Sequence, residues 1–208
     1  VNDAPVLASV GDRSMDEDGS LNFLLSGSDI ERDLLTFSIT GGNNISADLV
    51  GNDLTFTPDQ DFYGSETFTV TVNDGFLEDF ETFTITVNAV NDAPVLTVYD
   101  VFFDEDQIGG TGLSGSDVDG DDLTYSITGG SDIAATLNGS ALLFSAPENY
   151  NGSETFTVSV SDGNGGEDSQ SITVTVYPVN DAPVANAASG ETAEDQSVVV
   201  SLSGSDID

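Results

Sequence analysis

The chain contains no cysteine, no histidine and no tryptophan, and its 208 residues include only two cationic side chains, Arg13 and Arg32. Each absence removes a class of function. Without cysteine there is no disulfide framework and no thiolate metal site. Without histidine as well, the usual zinc and copper ligand sets are gone. The Ser and Thr residues have no imidazole partner, so a serine-type triad cannot be assembled. Two cations against 38 Asp and Glu give a formal charge of −36, which excludes nucleic acid and anionic membrane surfaces as partners, since both need cationic contacts. No apolar run approaches membrane-spanning length, and no signal peptide or lipidation motif is visible, so membrane insertion is not expected.

What is present is order. Hydrophobic residues make up 38% of the chain and alternate in strand register, unlike the apolar-poor composition of acidic disordered segments. The acid must therefore sit on a folded scaffold, where two carboxylates ~5 Å apart repel by about 3 kcal/mol at an effective dielectric of ~20. Such clusters are costly unless cations bind. With only oxygen donors available, Ca²⁺ is the cation the ligand chemistry favours.

The hexapeptide Val-Asn-Asp-Ala-Pro-Val starts at positions 1, 90 and 179, two intervals of 89 residues. Leu-Ser-Gly-Ser-Asp recurs at 25, 113 and 202, and Gly-Ser-Glu-Thr-Phe-Thr-Val at 64 and 152. The chain is an array. Its units are residues 1–89, 90–178 and a third piece, 179–208, which holds only the first strands of a unit and should be ordered only by docking. The pattern at both ends reads as an excerpt from a longer protein. A unit of this size can bury a modest core alone.

No segment shows helical periodicity. Short alternating runs separated by Gly, Asn and Asp predict an all-β sandwich. In the first unit strands are expected at 6–9, 21–25, 35–39, 48–50, 54–57, 66–72 and 81–87. Leu21, Phe23, Leu25, Leu35, Phe37 and Ile39 should face Phe68, Val70, Val72, Phe83, Ile85 and Val87 across the core. In the second unit the strand at 109–112 reads as weak, because Gly-Gly-Thr-Gly replaces the apolar alternation. Strands that alternate in direction sort the loops onto two ends. Asp16-Glu17-Asp18 and Asp59-Gln60-Asp61 then fall at one end of unit one, and the acidic run at 117–122 with Asp162 at the opposite end of unit two. With the linker residues Asn91 and Asp92, acidic groups far apart in sequence are expected to converge on one joint.

The linker Val-Asn-Asp-Ala-Pro, the Glu of Asp-Glu-Asp, Asp-x-Asp before Leu-Thr-Tyr-Ser-Ile, and Val-Ser-Val-Ser-Asp-Gly together resemble the cadherin-like repeats of bacterial surface proteins. The resemblance covers the whole chain. It implies tandem seven-stranded immunoglobulin/cadherin-like β-sandwiches arranged end to end, with Ca²⁺ at the junctions stiffening an extracellular rod whose partners are its own neighbouring repeats. Residue by residue, it implies Glu17, Asn91, Asp92, Asp117, Asp119 and Asp162 as metal ligands at the first junction. Glu105, Asn180, Asp181, Asp206 and Asp208 are the matching set at the second. Asp61, Asp29 and Asp74 are further candidates in unit one. The Leu-Asp-Arg-Glu motif of cadherins is absent, and Asn88 and Tyr177 stand where cadherin linkers carry another acid, which implies fewer or weaker ions per junction.

Each acidic loop also has a plainer reading. The run at 117–122 could be a solvated turn, since Asp and Gly are preferred there; its partial recurrence at 29–33 and 206–208 favours a ligand role. It is not an EF-hand, because Thr128 stands where the bidentate Glu belongs and no helices flank it. Glu66 and Glu154, at the start of a strand, read as surface residues, and the segment 163–168 as a turn. Paired carboxylates could suggest a glycosidase, but without Trp and with the acids at domain ends no substrate cleft is indicated, and the chain is read as non-enzymatic. Two functions remain: a Ca²⁺-stiffened spacer in a secreted or cell-surface adhesin, or a module that binds polysaccharide or a second copy of itself. Tyr63, Tyr99 and Phe76 are scattered rather than clustered, which favours the spacer.

Overall fold

The computed structural model describes residues 1–207; Asp208, one of the expected ligands, lies outside the described residues. The chain forms two compact units, Val1–Asn91 and Asp92–Asp208. Each is an all-β sandwich, as the alternation predicts.

Unit one contains β1 (Val6–Leu7), β2 (Arg13–Asp16), β3 (Leu21–Leu24), β4 (Gly27–Ser28), β5 (Thr36–Gly41), β6 (Ile45–Val50), β7 (Asp53–Pro58), β8 (Gly64–Asn73) and β9 (Glu78–Asn88). A four-stranded sheet in the order β2-β9-β8-β5 faces a three-stranded sheet in the order β3-β7-β6. The first strand, expected at 6–9, is only two residues long and is followed by a second short strand. The first, β1, pairs antiparallel with β4, and the chain then crosses over so that β2 runs parallel to β9, Ser14 opposite Thr86. The strand β2 was missed because Arg-Ser-Met-Asp shows no alternation beyond the one apolar residue, Met15, which is buried.

The core is built from Phe56, Phe68, Val70, Val72, Ile85 and Leu54, all fully buried, with Phe56 packed edge-on to Phe68 at 4.8 Å between ring centroids. Phe83 and Val87 are buried as expected. Of the other facing set only Leu25 is fully buried; Leu21, Phe23, Leu35, Phe37 and Ile39 are half-buried and pack against the core from its margin. The guanidinium of Arg13 lies over the Phe23 ring at 4.2 Å, a cation–π contact that covers that margin.

Unit two repeats the pattern with β10 (Val95–Thr97), β11 (Val101–Asp104), β12 (Ile108–Gly112), β13 (Ser114–Ser116), β14 (Thr124–Gly129), β15 (Ala134–Asn138), β16 (Ala141–Ser145), β17 (Gly152–Ser161) and β18 (Glu167–Tyr177). The sheets are β11-β18-β17-β14 and β12-β16-β15. The glycine-rich β12 is a genuine strand, paired antiparallel with β16 over its five residues. Its missing apolar side chain is supplied from elsewhere. The buried Phe103 of β11 fills the space, and a Cβ on Gly109 would lie 2.2 Å from Phe103 Cδ1. The short strands β19 (Val184–Ala185) and β20 (Gly204–Ser205) pair antiparallel, as β1 and β4 do, and belong to the second unit.

The outward faces of the four-stranded sheets are rows of hydroxyls. Register places Thr155 beside Thr173 and Thr157 beside Ser171 in unit two, and Thr67 beside Thr84 and Thr69 beside Thr82 in unit one. Cross-strand hydroxyl pairs form at Thr69–Thr82 (3.0 Å), Ser65–Thr86 (3.0 Å) and Ser153–Thr175 (2.9 Å). β-branched residues suit a pleated surface, so the same residues that form the strands also keep charge off their centres.

Candidate metal centres

Among the described residues the buried charged side chains are four carboxylates, Glu17 (5% exposed), Asp74 (7%), Glu105 (4%) and Asp162 (5%). They form two repeat-related pairs, each 88 residues apart (105 − 17 and 162 − 74). A buried carboxylate is costly unless hydrogen-bonded or paired with a cation, so the surroundings of each define what the loop ends can hold.

In unit two the loop after β13 turns at Gly120, whose φ of +81° is the left-handed region that glycine enters without strain. This turn gathers Asp117, Asp119 and Asp121, whose carboxylate oxygens lie within 4.8 Å of one another. Asp117 Oδ1 accepts the Asp121 N–H at 3.2 Å, while its Oδ2 is buried and accepts no hydrogen bond. Asp119 Oδ2 accepts the N–H of Asp92 at 2.8 Å, and Asp121 Oδ2 accepts Asn164 Nδ2 at 2.7 Å. Asp162, at the end of β17, caps the following turn by accepting the N–H groups of Asn164, Gly165 and Gly166 at 2.7–3.0 Å. Gly166 is required there, because a Cβ would lie 2.2 Å from Asp162 Oδ2 and 2.8 Å from Ala93 Cα.

Unit one repeats several of these hydrogen bonds from a different sequence. Asp29 Oδ1 accepts the Asp33 N–H at 3.0 Å and its Oδ2 is buried without a hydrogen bond, as in Asp117. Glu31 stands in the place of Asp119 and accepts the Asp3 N–H at 3.4 Å. Arg32 takes the position of Gly120 and, like it, has positive φ (+65°). Asp74 accepts the N–H groups of Phe76 and Leu77 at 2.7 Å and Asn2 Nδ2 at 2.9 Å. The Leu77 N–H and then the Asn2 amide hold the Asp74 carboxyl below the usual carboxylate range, against partial desolvation.

At the opposite end of unit one, Glu17 Oε1 accepts the N–H of Val90 and its own N–H bonds the Asn88 carbonyl. Asp18 and Asp61, both with positive φ, bring carboxylate oxygens within 4.8 Å of each other. In unit two Glu105 Oε1 accepts the Val179 N–H at 2.6 Å, and the side chain of Asp106 takes the N–H of Asn149. Asn180 bonds the Asp181 carbonyl. Asp181 and Asp206 line one cavity of about 430 Å³ with Glu148 and Asn149, but Glu105 is not part of that lining. Asn91 is exposed.

Two site residues escaped sequence reasoning. Asp121 was visible only as part of an acidic run, and Asn164 only as part of a turn; the signal that could have found them is their place two to four residues from a retained acid in a repeating loop. Glu66 and Glu154 need a correction of another kind. They are half-buried structural acceptors, not plain surface residues. Glu66 takes the N–H groups of Asn43, Asn44 and Ile45 at 2.8–3.1 Å, and Glu154 takes those of Ser131, Asp132 and Ile133 at 2.8–3.2 Å together with the Ser131 hydroxyl.

Sheet order, the crossover of the first strand and the acidic loop ends define a tandem pair of cadherin-like, immunoglobulin-type sandwiches. The family described as bacterial Ig domain matches twice, over residues 2–88 and 91–175, and the chain belongs to it. No curated protein matches. Among solved structures, protocadherin gamma B2 extracellular cadherin domains 3–6 align over 98% of this chain and 56% of that one, at 18% identity and a TM-score of 0.55. Human protocadherin-24 EC1-2 aligns over 85% of this chain and 99% of that one, at 18% identity and a TM-score of 0.53. These likenesses establish the fold. An endo-fucoidan hydrolase from glycoside hydrolase family 107 also aligns at 23% identity, with a TM-score of 0.38, and the chain spans 29% of its length.

Proposed function

We propose that the chain is a Ca²⁺-binding structural repeat, a spacer segment of a secreted or cell-surface bacterial adhesin. The observation that carries this reading is one that both units repeat: a buried Asp, Asp74 or Asp162, and a loop Asp, Asp29 or Asp117, whose Oδ2 is buried without a hydrogen bond. A buried acceptor with no donor calls for an explanation, and a hard cation supplies one. The donors fit, being carboxylate, amide and backbone oxygens, the ligand set that Ca²⁺ takes. In unit two Asp117, Asp119, Asp121 and Asp162 would hold it, with Asp92 beside them; in unit one, Asp29, Glu31, Asp33 and Asp74. Glu17, Asp18 and Asp61, and Glu105, Asp181 and Asp206, are the candidates at the other loop ends. When bound, the ion supplies positive charge and fixes the loops.

The linker gains most from this. Glu17 already claims the N–H of Val90, and Asp119 that of Asp92. Cations at the loop ends of each unit would hold each of these hydrogen bonds in place and stiffen the residues beside them.

Extracellular modules bind Ca²⁺ with Kd of about 10⁻⁴–10⁻³ M, and a site at about one hundred times its Kd adds about 2.7 kcal/mol. Chelator should therefore lower the melting midpoint by roughly ten degrees or more. NaCl at matched ionic strength should not restore it, because salt screens repulsion but fills no site. Asp117→Ala with Asp119→Ala should reduce the Ca²⁺ stoichiometry seen by calorimetry and increase the amide mobility of Val90 and Asp92 seen by ¹⁵N relaxation. Equal rescue by NaCl and CaCl₂, or unchanged stoichiometry in the double variant, would overturn the proposal.

A further inference from the structure

Two exposed aromatic residues, scattered in sequence, meet on the outward face of unit two. Phe102 of β11 and Tyr177 of β18 stack with ring centroids 6.3 Å apart and planes inclined by 14°, yet they stay 58% and 48% exposed. The register explains the meeting. Parallel pairing sets Phe102 opposite Thr175 and Asp104 opposite Tyr177, so all four side chains share one face, and the rings touch along the diagonal. Ser153 lies one strand further in, its hydroxyl bonded to that of Thr175 at 2.9 Å. Beyond it the face is the Ser and Thr rows already described, with acids only near the strand ends.

Unit one has the same ladder positions and no such platform. Ser14 stands opposite Thr86 where Phe102 faces Thr175, and Asn88 stands opposite Asp16 where Tyr177 faces Asp104. The fold therefore does not need the aromatic pair; only unit two carries it.

We propose that this face of unit two binds a neutral pyranose chain. The nearly parallel, exposed rings offer an apolar surface with a polar tip on Tyr177, suited to the C–H face of a sugar ring. The hydroxyls of Ser153 and Thr175 and the carboxylate of Asp104 offer donors and acceptors to its equatorial hydroxyls. The surroundings argue against the other occupants. A formal charge of −36 repels an anionic polymer and equally a second copy of the chain. A self-associating interface would also need an apolar centre, whereas this pair is bordered by hydroxyls. The inference is independent of metal at the loop ends, and it is tested with Ca²⁺ both present and chelated.

The test is an ¹H–¹⁵N titration of the 208-residue chain with cellohexaose, chitohexaose and mannohexaose, and with oligogalacturonate as the anionic arm. At least one neutral hexasaccharide should shift the amides of Phe102, Thr175 and Tyr177 while those of Ser14, Thr86 and Asn88 stay fixed. Phe102→Ser with Tyr177→Asn, which installs the residues unit one tolerates at these positions, should weaken binding at least tenfold while preserving the circular dichroism spectrum. If the double variant loses its fold, Tyr177→Asn alone serves the same comparison. The proposal fails if none of the three neutral chains shifts these amides, if only oligogalacturonate does, if the variant binds like the parent, or if sedimentation shows that the pair instead joins two copies.

Discussion

Glu154 shows how a carboxylate can work for the fold alone. Desolvation pushes its pKa up, but the N–H of Asp132, the hydroxyl and N–H of Ser131 and the N–H of Ile133 outweigh this and bring it down from 4.5 to about 2. Glu66 is lowered in the same way, its desolvation outweighed by Asn44, Asn43 and Ile45. A folded pKa below the unfolded value means stability that is fully present above about pH 4.5 and lost as pH falls toward about 2. Glu154→Gln keeps the shape and removes the charge, so it should cost about 1–2 kcal/mol at neutral pH, the difference between charged and neutral hydrogen bonds. In urea melts the gap between parent and variant should close as pH drops through that window; a gap independent of pH would show that shape, not charge, matters. Glu81 adds a contrast. Hydrogen bonds from the Val10 and Gly11 N–H groups lower its pKa, while the matching acceptor in unit two, bonding Val98, is the uncharged Gln170. Neither Glu66 nor Glu154 could be read from sequence as a loop anchor, because the loop each holds lies 21–23 residues upstream. The loop acids were legible because several recur together between strands, as at 29–33 and 117–122, whereas Glu66 and Glu154, which recur at the same spacing, stand alone at the start of a strand.

At the scale of elements, β12 separates what pattern can reveal from what packing decides. Alternation identified β5, β7, β8 and β9 because each carries its own apolar row. It failed for β2 and gave only a weak signal for β12, since those strands are completed by neighbours: β2 contributes Met15 alone, and β12 leaves its core space to Phe103. Gly109→Ala would push a methyl group against the near side of the Phe103 ring, which is held between sheets and cannot swing away. A destabilisation of about 1–3 kcal/mol is expected from such overpacking. Gly112→Ala meets nothing within 4 Å and should lie within about 0.5 kcal/mol of the parent. Thermal melts of the two variants check the pair; equal effects would mean that β12 is destabilised by alanine as such and not by the ring.

Across the whole molecule, charge is partitioned rather than spread. The acids collect in loops at the strand ends, where carboxylates bond backbone N–H groups, and the centres of the four-stranded sheets carry hydroxyls. This partition was legible in outline, because loops and strands could be told apart by alternation. Which acids would be buried was not, since burial of Glu17 or Asp162 depends on the crossover of the first strand and on turns such as that at Gly166. That crossover has a mechanical consequence. In each unit β2 and β9, or β11 and β18, are the early and late strands, and they run parallel. Tension applied through a unit's two ends would load such a pair in shear, along the strands, so its evenly spaced hydrogen bonds share the force and must fail together. Resistance to pulling is set by the unfolding rate, and a unit of this topology should unfold at higher force than its melting temperature suggests. Arg13→Pro, which removes a ladder donor in β2, should lower the rupture force of unit one in single-molecule stretching by more than it lowers that unit's melting point in proportion, leaving the rupture of unit two as the internal reference.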